Sequence, residues 1–142
     1  MKNYRKWIKA AAVFQLITAA LHAITLFITP QPANEMEKQL YNLMSTIQFD
    51  FGAGFHRTMD EMTIALSSCL SLLCILAGLI NFYLVRKRVE DDIMKGIITI
   101  NLVVFGIFFI ITIVFTFLLP IIQIGLITLC LFLSGITLHK KK

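Results

Sequence analysis

Four long apolar runs, at about 7–29, 59–85, 93–118 and 121–138, dictate the medium in which this chain folds. A helix of about 20 residues, rising about 1.5 Å per residue, crosses the roughly 30 Å hydrocarbon core of a bilayer. Inside lipid every backbone N–H and C=O needs a partner within the protein, so a single crossing must be helical. That requirement overrides local propensity in the third run, whose Ile, Phe and Val would favour strand in water. The expected fold class is all-α: a four-helix transmembrane bundle, antiparallel and up-down-up-down. At 142 residues the chain is long enough for one integral membrane domain, 1–142, and too short for two.

Composition agrees. Hydrophobic residues make up 58% and charged residues 15%, where a soluble domain runs at about half and a quarter. Lys2, Arg5, Lys6 and Lys9 followed by an apolar run imitate a secretion signal. The run is too long for a signal core, however, and no small-residue cleavage site closes it, so it reads as a retained span. Tyr4 and Trp7 sit where amphipathic rings prefer to lie, at the membrane surface.

Net charge is +5, but the basic residues stand at the ends of apolar runs rather than on one face, so no nucleic-acid partner is expected. Eleven of the thirteen lysines and arginines fall in the N-terminal segment, the 86–95 connection and the C-terminal tail; the exceptions are Lys38 and Arg57. Basic residues concentrate on the cytoplasmic side. The expected location is therefore a bacterial inner (plasma) membrane, multi-pass, with both termini cytoplasmic. The 30–61 segment then lies outside, and it is acidic through Glu35, Glu37, Asp50, Asp60 and Glu61.

Within that segment Pro30 and Pro32 break the first helix. Asn34 with Glu37 spells a capping box. Met36, Leu40, Leu43, Met44 and Ile47 then recur at helical spacing, which predicts an amphipathic helix over 34–48, lying on the membrane surface or covering the bundle. Phe51-Gly-Ala-Gly54 predicts a turn, and Thr58 with Glu61 a second capping box opening the second span. Pro120 breaks the last two runs apart and suits the first turn of the fourth helix.

Candidate chemistry gathers on a polar stripe. His56, Asp60, Thr63, Ser67, Ser71, Cys74, Gly78 and Asn81 step by threes and fours, which places them on one helix face. Ala12, Gln15, Ala19, His22 and Ala23 form a matching face on the first span, and Gln123, Cys130, Ser134 and Thr137 on the fourth. Such faces turn away from acyl chains, either to pack helix on helix or to line a cavity. His22 is the sharpest single residue, because ionisable groups inside membranes are costly and mark pathways or sites. The ligand-binding or proton-handling candidates are His22, His56, Asp60, Gln15, Ser67 and Ser71. Gln15, Asn81 and Asn101 also suit hydrogen bonds across helices. Cys69, Cys74 and Cys130 form no C-x-x-C and read as buried structural thiols.

No nucleotide loop, H-E-x-x-H or G-x-S-x-G occurs, so no catalytic residue is assigned and the chain reads as non-enzymatic. No cofactor and no metal site is assigned either. Two histidines on two helices invite a haem, and His22, His56 and Asp60 a zinc ion, but neither set carries a spacing signature.

Four spans, the outer amphipathic segment, a histidine in the first span and Gly54-Phe-His56-Arg57 before the second make up the outline of the chain. In that outline it resembles the small four-span bacterial membrane proteins that carry no assigned activity, and in shape it is similar to small DoxX-like membrane proteins. The expected function is that of a small transporter-like or ligand-binding bundle with a polar interior face. The alternatives are an accessory subunit of a membrane complex and a haem or redox membrane protein. Expected partners are membrane lipids, a small ligand, and either a second copy or a membrane-complex partner, since four short helices enclose little volume.

Overall fold

The order of elements follows from those runs and the breaks between them. A computed structural model describes residues 3–28 and 31–139. They form α1 (Asn3–Thr25), α2 (Glu35–Thr46), β1 (Gln48–Asp50), β2 (His56–Thr58), α3 (Met59–Lys87), α4 (Asp91–Phe115) and α5 (Leu118–His139). α1, α3, α4 and α5 are each long and apolar enough to cross a bilayer. The chain is an all-α, multi-pass membrane protein. The expected break at Pro30, the last residue of the expected first span and the tail lysines 140–142 lie outside the described residues.

Boundaries differ from expectation where backbone bonding decides them. α1 ends at Thr25, and Ala23, Ile24 and Thr25 carbonyls accept tighter i+3 bonds from the three residues that follow the helix. α4 closes at Phe115, with the Thr116 N–H bonded to Thr112 O. α5 begins at Leu118, so Pro120 sits in its first turn, where its missing N–H has no helical acceptor to lose.

The chain divides into two units, Ala20–Leu72 and the described residues on either side of it. The larger unit is a helical bundle of α1 up to Ala19, α3 from Leu73, α4 and α5. α1 turns one face into it, burying Tyr4, Ile8, Ala11, Ala12, Gln15 and Ala19, while Trp7, Val13 and Ile17 are exposed. α3 approaches it closely at Gly78, where a methyl group would stand 3.0 Å from Leu16 Cγ and 3.1 Å from the Ala12 carbonyl oxygen. Glycine lets α3 come this near the Ala12 backbone; a larger residue would need Leu16 and that carbonyl to give way. α5 buries Ile124, Ile127, Cys130, Leu131, Ser134 and Leu138, and its Thr128 hydroxyl donates to Phe105 O of α4 at 3.2 Å. Outside, Leu76, Leu79 and Ile80 of α3 and Ile100, Val103 and Val104 of α4 are exposed. In water that surface would be untenable; against acyl chains it is matched.

In the smaller unit, α2 opens as its sequence requires. Asn34 Oδ1 accepts from Glu37 N at 2.8 Å, while Glu37 Oε2 accepts from Ala33 N rather than from the cap residue's own N–H. α2 buries none of its residues. The expected turn at 51–54 is the tip of a β-hairpin, in which Gln48 pairs with Thr58, Phe49 with Arg57 and Asp50 with His56. This is a departure from a purely helical reading. Gly52, Ala53 and Gly54 all have positive φ, and Asp50 Oδ1 accepts from Gly52 N at 2.8 Å. That Asx bond and two glycines bring the strands together over a stretch too short to announce itself by alternation. Thr58 then caps α3 in a complete box: Glu61 N donates to Thr58 Oγ1 and Thr58 N to Glu61 Oε2.

Candidate functional site

The polar stripe of α3 is partly buried. Ser71, Cys74, Gly78, Asn81 and Val85 are buried at intervals of three and four, while Leu72, Leu73 and Leu76 are exposed. The normal hydropathy of a helix surface is inverted here, as lipid demands. Asp60 and Thr63 at the start of the stripe are exposed, and Ser67 is half-buried. Cys69 is exposed too, contrary to the expectation of three buried thiols, because its position turns it away from the Ser71–Cys74–Gly78 face. His56 is corrected in placement: it belongs to β2 of the hairpin, opposite Asp50, and is exposed. Its apparent step of four before Asp60 does not run along a helix.

Gln15, Asn81 and Asn101 come together in the bundle unit. Asn81 Nδ2 donates to Gln15 Oε1 at 3.0 Å and to Asn101 Oδ1 at 3.1 Å; Gln15 Nε2 lies 3.5 Å from the same Asn101 oxygen. Gln15 and Asn81 are 0% exposed. Asn101 donates its own N–H to Ile97 O, one turn back on α4. One amide thus bridges α1, α3 and α4, and Asn81 Oδ1 is left without a partner. Each such bond is worth on the order of 0.5–2 kcal/mol in a membrane. This part of the stripe bonds helix to helix.

A second polar lock joins α1 to the start of α4. Tyr4 Oη donates to Asp91 Oδ1 at 2.6 Å, Arg5 Nη2 donates to Val89 O at 2.6 Å and approaches Asp91 at 3.7 Å, and Ser134 Oγ of α5 donates to Tyr4 O at 3.1 Å. In the sequence Arg5 counts only toward the orienting charge at the N-terminus. The only signal available was an arginine in the first helical turn and an acidic cluster 86 residues away, a pairing that nothing local encodes.

In the smaller unit the remaining candidates bond to backbone rather than to one another's side chains. Ser71 Oγ donates to Ser67 O at 3.1 Å, and Thr63 Oγ1 to Met59 O at 2.9 Å, so these hydroxyls return to their own helix. Arg57 donates to His56 O rather than pairing with Asp60 or Glu61. His22 is half-buried, and its Nε2 is shielded from solvent without a hydrogen-bond partner. Among the described residues, no three of His, Cys, Asp and Glu are grouped as metal ligands would be.

Comparison with protein-family models, with curated proteins and with solved structures finds no match.

Proposed function

We propose that the chain is a non-enzymatic bundle of the bacterial inner membrane that binds a small polar ligand at its first span, with His22 as the group that receives it. One observation supports this reading. Three buried side-chain atoms among the described residues lack a partner: Arg5 Nη1, Asn81 Oδ1 and His22 Nε2. Arg5 and Asn81 are already bonded through another side-chain atom, whereas no hydrogen bond reaches the His22 imidazole. An unmet buried polar group costs about 1–3 kcal/mol, which a ligand, supplying the missing bond, recovers. Asp60, Ser67 and Ser71 belong to the same unit, and the Ser71 hydroxyl, which donates to Ser67 O, still has oxygen lone pairs to offer. Both termini face the cytoplasm in this reading, on the strength of the lysine and arginine distribution.

Native mass spectrometry of the full chain, released from detergent as wild type and as His22→Ala, tests the proposal. A non-lipid adduct is expected on the wild type and absent from the variant. If His22→Leu melts at a higher temperature and no bound species is lost with it, the imidazole serves no ligand and the reading fails.

A second reading, as an accessory subunit, is favoured by one feature. α2 leaves Met36, Leu40 and Leu43 exposed, and the hairpin exposes Phe49, Phe51 and Phe55. An apolar surface of this kind suits the membrane interface or a partner's span. A protein that co-purifies in stoichiometric amount with the wild type, and is lost on Leu40→Glu, would favour it.

A further inference from the structure

Lys95, at the start of α4, and His139, at the end of α5, line one groove of about 450 Å³. Ile98, Leu102 and Phe132 supply apolar lining, and Gly135 contributes no side chain to it. A methyl group on Gly135 would meet only Ile98, at an ordinary contact distance of 3.7 Å, so it fits without displacing a neighbour. The groove follows residues 95–102 of α4, roughly 10 Å of helix. It belongs wholly to the bundle unit.

An apolar cleft in a bilayer attracts hydrocarbon only weakly, because lipid tails are as apolar as leucine. Selection must come from the polar groups lining it. Here these include an ammonium, an imidazole and the Thr99 hydroxyl, with no carboxylate among the lining residues. Thr99 already donates to Lys95 O at 3.0 Å, so the free donors are Lys95 and His139. Basic pockets between transmembrane helices hold anionic head groups.

We propose that this groove is a docking site for one anionic phospholipid. An acyl chain lies against Ile98, Leu102 and Phe132, beside Gly135, and the phosphate is held by Lys95 and His139. A zwitterionic lipid brings the same chain and phosphate but adds a cation next to the lysine, so it binds less well. The inference is independent of any role for His22.

Native mass spectrometry tests it, with the full chain in detergent titrated with phosphatidylglycerol and, separately, with phosphatidylcholine of the same acyl chains. One phosphatidylglycerol is expected to be retained in preference to phosphatidylcholine. Near a membrane surface one basic residue is worth about fivefold in affinity for anionic lipid. Lys95→Gln should therefore weaken phosphatidylglycerol binding about fivefold, and Lys95→Gln with His139→Gln further. Gly135→Leu should weaken both lipids by filling the groove. Lys6→Gln removes an exposed base that does not line the groove, and should change nothing. Equal losses in Lys6→Gln and Lys95→Gln would reduce the effect to bulk charge and overturn the proposal. So would the absence of any preference between the two lipids, or a lipid-free dimer abolished by Gly135→Leu. If Gly135→Leu fails to fold, Lys95→Gln decides the matter, since Lys95 is not part of the buried core.

Discussion

Asn81→Leu removes the donor from which both Gln15 and Asn101 accept; it strands the Gln15 oxygen and leaves the Asn101 oxygen only the long 3.5 Å bond from Gln15 Nε2. The expected loss is about 1–3 kcal/mol, read as a lower melting temperature in detergent. Because the three amides form one network, Gln15→Leu added to Asn81→Leu should cost less than the sum of the two single changes. Gly78 sets a contrast of size. Gly78→Val drives new atoms into Leu16 and the Ala12 carbonyl and should cost about 1–3 kcal/mol. Gly106 has open space beside it, so Gly106→Ala should be neutral or more stable by up to about 1 kcal/mol, through helix propensity. Equal destabilisation at both glycines would count against close packing of α1 on α3. At this scale the identity of the polar residues was legible. That Asn81 is the donor to both its partners was not, because the choice depends on which helices are neighbours.

At the scale of elements, the end of α3 carries a specific strain. Arg88 has φ of 53°, in the left-handed region. Its N–H bonds Val85 O at 3.3 Å and the Val89 N–H bonds Leu84 O at 3.4 Å, which together form a Schellman motif. Glycine suits that position without a Cβ penalty, so Arg88→Gly should stabilise by about 0.5–1 kcal/mol. Hydrogen exchange at residues 84–89 should slow in step; faster exchange there would show that the arginine side chain matters more than its backbone. The capping residues Asn34, Thr58 and Glu61 were readable in advance, since a cap depends on residues only three apart. The strands of the 48–58 hairpin are not legible in the sequence, for two three-residue strands are too short for a period of two to register. For the same reason the spacing of His56 from Asp60 imitates a helix step.

For the whole molecule, the arrangement rests on α1. It exchanges hydrogen bonds with α3 through Asn81, with α4 through Tyr4 and with α5 through Ser134. Reporter fusions at each end should both be active as cytoplasmic reporters, and a fusion in the 30–61 segment as an external one. A periplasmic signal from either terminus would reverse the orientation inferred from charge. Lys87 Nζ lies 5.8 Å from the Tyr83 ring centroid, and Trp7 is partly exposed on α1. Aromatic and basic residues of this kind anchor helix ends at a membrane interface.

The sequence alone determined that the chain lives in lipid, that it crosses four times, and where α2 and α3 begin. Those properties follow from run length, backbone bonding and short-range caps, all of which act along the chain. Tertiary structure decided which polar residues meet, Gln15 with Asn81 and Asn101, and Arg5 with Val89 and Asp91, and it set Lys95 and His139 along one groove. Helical periodicity gives each residue a face but not the neighbour that the face turns toward. That neighbour is chosen by close packing at Gly78 and at the other interhelical contacts, between residues far apart in the chain.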